Sequence, residues 1–398
     1  MKERVYLDYN ATAPVRQAAK AVAMEAMEDA HNASSVHSFG REARSMVEKA
    51  REAVAALVNA PTAQVIFNSG ATEGNNTVLK HFANDKVLVS AIEHPAVLEA
   101  HTSAIKIPVT KDGVVNLTAL ENLLKAEKPA LVSVMMVNNE TGVIQSIKEI
   151  SALAHRYGAL FHSDAVQAAG RIPIDIAELG IDFLTLSSHK IGGPQGAGAL
   201  AMGLCGITPV LLHGGGQEKS ARAGTENVPA IAGFGAAAQE ALQFCHPERS
   251  EGSHATKRDP SVAPLLQDDN MASLSDLQKL QHKLETGLMK IGESIIIHGI
   301  NAERVPNTTM FSLTGASSET LMMALDLEGV AVSNGSACSS GTVKSSYVIK
   351  AMGHGDEIAS SALRISTGWD TKETDIDRFL EAFTKIAARI QNKKTANA

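Results

Sequence analysis

Lys190 and Asp164 are the two side chains of this 398-residue sequence that could together do chemistry neither does alone. Lys190 closes Ile181-Asp182-Phe183-Leu184-Thr185-Leu186-Ser187-Ser188-His189, an apolar, β-branched run of strand length. The glycine- and proline-rich break Ile191-Gly192-Gly193-Pro194-Gln195-Gly196 follows at once. Strand ends in open α/β sheets are where ligands sit. An amine placed there is partly desolvated, which lowers its pKa and frees it to attack a carbonyl. A lysine whose ammonium merely reaches water has the same signature. Asp164 ends a second apolar run, Ala159-Leu160-Phe161-His162-Ser163, and Gln167 follows one turn later. Its carboxylate can cap the next helix, or it can pair with a protonated ring nitrogen and keep that ring electron-withdrawing.

A lysine that bonds a coenzyme's aldehyde and a carboxylate at a pyridinium nitrogen are what pyridoxal 5'-phosphate (PLP) asks of a protein. Its phosphate needs free backbone N–H groups. Ser69-Gly70-Ala71-Thr72-Glu73-Gly74-Asn75-Asn76, a small-residue turn opening a helix, supplies them, although ordinary capped helices begin the same way. Ser187 and His189 flank the lysine with hydrogen-bonding groups. The glycine-marked loop His213-Gly214-Gly215-Gly216-Gln217-Glu218, with Arg222-Ala223-Gly224-Thr225, reads either as a surface connection or as a further polar contact. Cys338 sits in Gly335-Ser336-Ala337-Cys338-Ser339-Ser340-Gly341, among residues that cannot pack around it, so its thiol is open to nucleophilic chemistry. Cys205 and Cys245 read as small buried hydrophobes. Arg364, inside the apolar run Leu363-Arg364-Ile365, offers a fork for a substrate carboxylate or for an internal salt bridge.

A net charge of −7 gives no basic field for nucleic acid or anionic lipid. No apolar run reaches the roughly 18 residues of a membrane span, and Met1-Lys2-Glu3-Arg4-Val5 enters a strand-like segment without a signal core. Three cysteines make neither a disulfide framework nor a Cys-x-x-Cys clip, so no metal site is expected. The expected compartment is the reducing cytoplasm.

To bring these side chains together the chain must alternate strands and helices. Strands are expected at 64–68, 86–90, 131–137, 160–162, 183–186 and 197–201, and helices at 15–30, 38–58, from 71, and 228–244. Alternation with apolar strands predicts an α/β fold with a mainly parallel sheet covered on both faces, its polar groups converging on one edge. Residues 246–264 are polar and mixed in charge, an exposed insertion. Beyond it, helices at 273–289, 318–327, 346–352, 356–363 and 373–391, with strands at 294–298, 308–313 and 363–366, form a smaller α+β unit. The expected division is a large domain over 14–245, the insertion, and a small domain from 1–13 and 265–398.

In chain order, Gly70 to Asn76, Glu93-His94-Pro95, Val137-Asn138-Asn139-Glu140-Thr141-Gly142 and Asp164-Ala165-Val166-Gln167 are followed by Ser187-Ser188-His189-Lys190. With the His213, Arg222 and Cys338 stretches they resemble the NifS/IscS-like cysteine desulfurases, fold-type-I PLP enzymes of the class-V aminotransferase family. The resemblance runs from Tyr6 to about Ala388. It implies a large domain with a mainly parallel seven-stranded sheet between helices, plus a smaller α+β domain. It implies that Lys190 carries PLP and moves the substrate's α-proton. Asp164 would face the pyridinium nitrogen and Gln167 the phenolic oxygen, with His94 stacked on the ring as acid or base. Ala71, Thr72, Ser187 and His189 would hold the phosphate, with Thr225 reaching the neighbouring subunit's phosphate in a homodimer. Asn139 and Arg364 would bind the carboxylate of L-cysteine. Cys338 would take the sulfur as a persulfide, leaving alanine, and pass it to an acceptor protein for iron–sulfur clusters or tRNA thiolation. The insertion and a short tail after the last helix depart from the family's pattern; the second leaves the acceptor open. Other readings of the same motifs are a selenocysteine lyase, an aminotransferase, or a non-catalytic sulfur-carrier scaffold.

Overall fold

Continuous apolar runs such as Val87-Leu88-Val89-Ser90, buried at every position, form strands covered on both faces. The computed structural model describes residues 4–29, 32–245, 273–335 and 345–397, with side chains to 390. The strands are β1 (Val5–Tyr6), β2 (Val65–Asn68), β3 (Val87–Ser90), β4 (Ile105–Ile107), β5 (Leu131–Ser133) and β6 (Leu160–Asp164), then β7 (Phe183–Ser187), β8 (Gly198–Met202), β9 (Ile295–Ile297), β10 (Thr308–Leu313), β11 (Val330–Ala331) and β12 (Ala362–Ser366). Seven of them form the main sheet in the order β2-β8-β7-β6-β5-β3-β4, as expected. From β4 to β7 all neighbours are parallel; β8 is antiparallel to β7 and to β2. Strand β2 therefore runs with β7, and the carboxyl ends of β2, β3, β5, β6 and β7 open on one edge.

The helices are α1 (Gln17–Glu25), α2 (Ser38–Leu57), α3 (Ala71–His81), α4 (Pro95–Leu98), α5 (Leu117–Glu127), α6 (Ile147–Arg156) and α7 (Val228–Cys245), then α8 (Leu274–Ile291), α9 (Ser318–Leu327), α10 (Tyr347–Ala351), α11 (Asp356–Ser360) and α12 (Glu373–Asn397). A three-stranded antiparallel sheet, β12-β10-β9, packs with α8, α9 and α12 around Phe311, Phe379 and Phe383, the last two stacked 5.5 Å apart. The segment after β1 ties this second core to the main sheet. The Asn10 N–H donates to Ser366 Oγ, its side-chain amide donates to Thr308 Oγ1, and its carbonyl faces the edge of the main sheet.

Several boundaries differ from the expected ones for physical reasons. Helix α1 starts later than 15 because Arg16 stays extended, its N–H on Gly192 O and its guanidinium on Ile191 O and Glu240. The strand expected over 131–137 stops as β5 at Ser133, where the Met135 N–H turns to the Glu93 carboxyl instead of a neighbouring strand. Strand β4 was not foreseen, being three residues beside a polar stretch. The insertion expected at 246–264 lies outside the described residues.

Candidate active site

A cavity of about 1260 Å³ opens on that sheet edge, and its wall carries most of the candidates: Ala71, Thr72, His94, Asn139, Asp164, Gln167, Ser187, His189, Lys190 and Arg364. Thr225 is exposed and is not on this wall. Cys338 lies outside the described residues, although Gly335 and Ser345 both border the cavity.

Lys190 ends the single helical turn that follows β7. It is half-buried, and its Nζ donates to the carbonyls of Asn10 and, at 2.9 Å, Ala11. Burial, then the positive charges of Arg364 and Arg171, push its amine down to about 8, against the pull of Asp8 and Asp164. Asp164 is buried at the end of β6, where its carboxylate accepts from Asn75 Nδ2 at 2.7 Å and from the Val166 N–H at 3.0 Å. His94 caps α4, with Nδ1 accepting the Ala96 N–H at 3.1 Å. Burial lowers its pKa, Asp164 opposes this and Lys190 adds to it. His189, 3.2 Å from Thr12 Oγ1, is lowered to about 4 by burial and by Lys190. Gln167 Nε2 donates to the Asn10 carbonyl at 3.0 Å. Arg364, 1% exposed, donates to Asp8 at 2.7 Å and to the Asn139 carbonyl at 2.9 Å.

The turn between β2 and α3 is shaped for an anion. Gly70 takes φ +146°, a conformation L side chains rarely adopt. A Cβ at Gly198 would stand 2.6 Å from the Gly70 Cα, so β8 needs glycine there to let the turn come close. No side chain caps α3, which leaves its first N–H groups free. Asn139 Oδ1 and Arg364 Nε are buried in the cavity wall without partners among the described residues. An open helix end, a buried amine, a buried carboxylate and polar atoms left without described partners form a set of donors and acceptors that fits PLP.

Sequence reasoning missed Asp8, Asn10, Asn75, Glu93 and Glu140. Asn75 had a signal: it lies one helical turn past the cradle, on the face that meets β6. The buried acids had none in spacing alone. Glu140 binds Ser346 Oγ, and burial raises it to about 7. Glu93 accepts from Ser90 and from the Met135 N–H, and burial raises it to about 8. Glu93 thus holds its proton when folded and loses it in the ordinary carboxylate range when unfolded. Its stabilising contribution is complete at low pH and is lost as pH rises toward about 8. Glu93→Gln is expected to flatten the fall in urea midpoint between about pH 5 and about pH 8; parallel wild-type and variant curves would refute the assignment.

The family model for aminotransferase class-V matches residues 5–275 and 262–379. A relative named cysteine desulfurase IscS, from Dictyoglomus turgidum, is 35% identical over 405 residues, covering 98% of this chain and 96% of that protein. One of the same name from Anaeromyxobacter sp. is 38% identical over 408 residues, 98% and 94% of the two chains. The solved NifS-like protein of Rickettsia africae has a TM-score of 0.84 at 37% identity, covering 96% of this chain and 99% of its own. A structure described as SspA in complex with cysteine follows at 0.72 and 25%, over 92% and 99%. The chain belongs to the class-V aminotransferase family, in its NifS/IscS-like group of fold-type-I enzymes.

Proposed function

We propose that the chain is a PLP-dependent cysteine desulfurase that takes sulfur from L-cysteine, leaves L-alanine and holds the sulfur as a persulfide on Cys338. The observation that carries this reading is the meeting of the Lys190 amine and the Asp164 carboxylate on one cavity wall beside an open helix end. Lys190 would bond the coenzyme, Asp164 would face its ring nitrogen and Gln167 its phenolic oxygen, with His94 against the ring. Ala71, Thr72, Ser187 and His189 would take the phosphate, and Thr225 that of the second subunit of a homodimer. When bound, PLP draws electrons from the substrate and weakens its bonds.

The chain's own groups supply the rest. The Arg364 guanidinium and the Asn139 side-chain amide N–H donate to the substrate carboxylate. The Lys190 amine, at about 8, is neutral often enough near neutrality to take a proton from the substrate's Cα and to return one. His94, whose pKa is lowered chiefly by burial, accepts the Ala96 N–H on Nδ1, so the proton of the neutral ring sits on Nε2, the nitrogen that would serve as the acid. The Cys338 thiolate attacks the substrate sulfur; the S–S bond forms as Cβ–S breaks, and the electron pair left on Cβ takes a proton. A reducing cytoplasm and a sulfur-acceptor protein for iron–sulfur clusters or tRNA thiolation suit such a product.

The test is incubation of the protein with L-cysteine, followed by assay of alanine and sulfide and mass mapping of the persulfide. The persulfide is expected on Cys338. Cys338→Ala is expected to keep the coenzyme's colour and to lose sulfide release by roughly 10²-fold or more. Full turnover in that variant points to another class-V activity, and a colourless wild type to a non-catalytic scaffold.

A further inference from the structure

Arg171 is a buried arginine in the turn after β6. No carboxylate lies within ion-pair distance of it among the described residues, and its charged neighbours of consequence are other cations, Arg364 and Lys190. A buried cation with no counter-charge is costly, so its position calls for a reason. Its Nη1 donates to the backbone carbonyl of Gln167 at 2.9 Å and to Gln167 Oε1. That occupies the amide oxygen and leaves Nε2 to donate to the Asn10 carbonyl, the same oxygen that receives Lys190 Nζ. Arg171 and Lys190 also share the wall of a second, small cavity of about 30 Å³ with Asn307 and Thr367.

We infer that Arg171 is a positioning residue for the reactive amine: it fixes Gln167, orients the Asn10 carbonyl shared with Lys190, and by its charge disfavours a second cation at Lys190. The groups that face this amine are Arg171 from the turn after β6, Arg364 from β12, Asp8 from the segment after β1, Asp164 from the end of β6, and the imidazoles of His94 and His189. The two carboxylates favour the ammonium and the two guanidinium groups oppose it. Because Arg171 carries no acid of its own, its charge is left to act on its neighbours.

The inference rests on Lys190 being the reactive amine, and the experiment separates the two claims. The full-length chain, freed of coenzyme with hydroxylamine, is acetylated competitively across a pH series, and the Lys190 peptide is followed by mass spectrometry. Wild-type Lys190 is expected to titrate well below an ordinary lysine; an ordinary value there defeats the reading of Lys190 itself. Arg171→Gln is expected to raise the midpoint by roughly one pH unit, and Arg171→Lys to restore it. A depressed wild-type midpoint that Arg171→Gln leaves unmoved overturns the inference alone. Should Arg171→Gln fail to fold by circular dichroism, Gln167→Glu, which sets a carboxylate against the guanidinium, is expected to give the same rise. An unmoved midpoint there overturns the inference equally.

Discussion

Replacing Lys190 with alanine is expected to lower desulfuration of L-cysteine by on the order of 10³-fold or more, because one side chain both bonds the coenzyme and moves the substrate's proton. The fold should survive. Among the described residues the Lys190 amine donates only to the Asn10 and Ala11 carbonyls, at the wall of an open cavity where water can replace it. Two measurements check this. Borohydride reduction of the coenzyme-loaded protein should add the coenzyme's mass to the wild type and not to Lys190→Ala. In the wild type, kcat should rise with pH to a plateau above about 8, since the Lys190 amine is free of the coenzyme only with substrate bound and must give up its own proton there to take the substrate's. A variant that still gains the mass on reduction would place the covalent lysine elsewhere and remove the basis of the proposed function.

The sequence was most legible where local chemistry and the fold agree. Each apolar run ending in a polar residue, at Asn68, Asp164 and Ser187, is a strand whose carboxyl end reaches the cavity edge, and a period of two or a continuous run reveals this without tertiary knowledge. The glycine at 70 declared its turn for the same reason, since few other residues accept that backbone. What the sequence could not show was who meets whom across the fold. Asp8 and Arg364 are partners although they stand 356 positions apart in the chain. Asn10 reaches the cavity because the segment after β1 crosses from the small sheet to the large one. Nothing in the spacing around Arg171 marks it, and only packing buries it with no acid in ion-pair reach among the described residues. Glu93 and Glu140 carry no signal of their own within their motifs; the desolvation that makes them weak acids comes from the packing of the fold.

Arg364→Met is expected to fail twice, in stability and in substrate binding, and the two failures can be told apart. The guanidinium sits mid-strand in β12, joined to Asp8 at 2.7 Å and to the Asn139 carbonyl at 2.9 Å, with Nε unpaired among the described residues. Removing it leaves a carboxylate and a carbonyl without a donor, a loss on the order of 3 kcal/mol in unfolding free energy. It also takes away the planar fork proposed for the substrate carboxylate, which should raise KM for L-cysteine by roughly 10²-fold. Arg364→Lys restores the charge without the fork and should recover stability better than KM. Asp8→Asn separates the roles: it weakens the strut and leaves the fork free to turn toward substrate, so stability should drop while KM holds or falls. The guanidinium also heads the charges that keep the Lys190 amine low, so Arg364→Met should move the ascending limb of the kcat profile to higher pH, as loss of a neighbouring cation requires. An Arg364→Met protein that is less stable yet keeps the wild-type KM and pH limb would reduce Arg364 to a brace between β12 and the segment after β1. The substrate carboxylate would then have to find its donor elsewhere on the cavity wall.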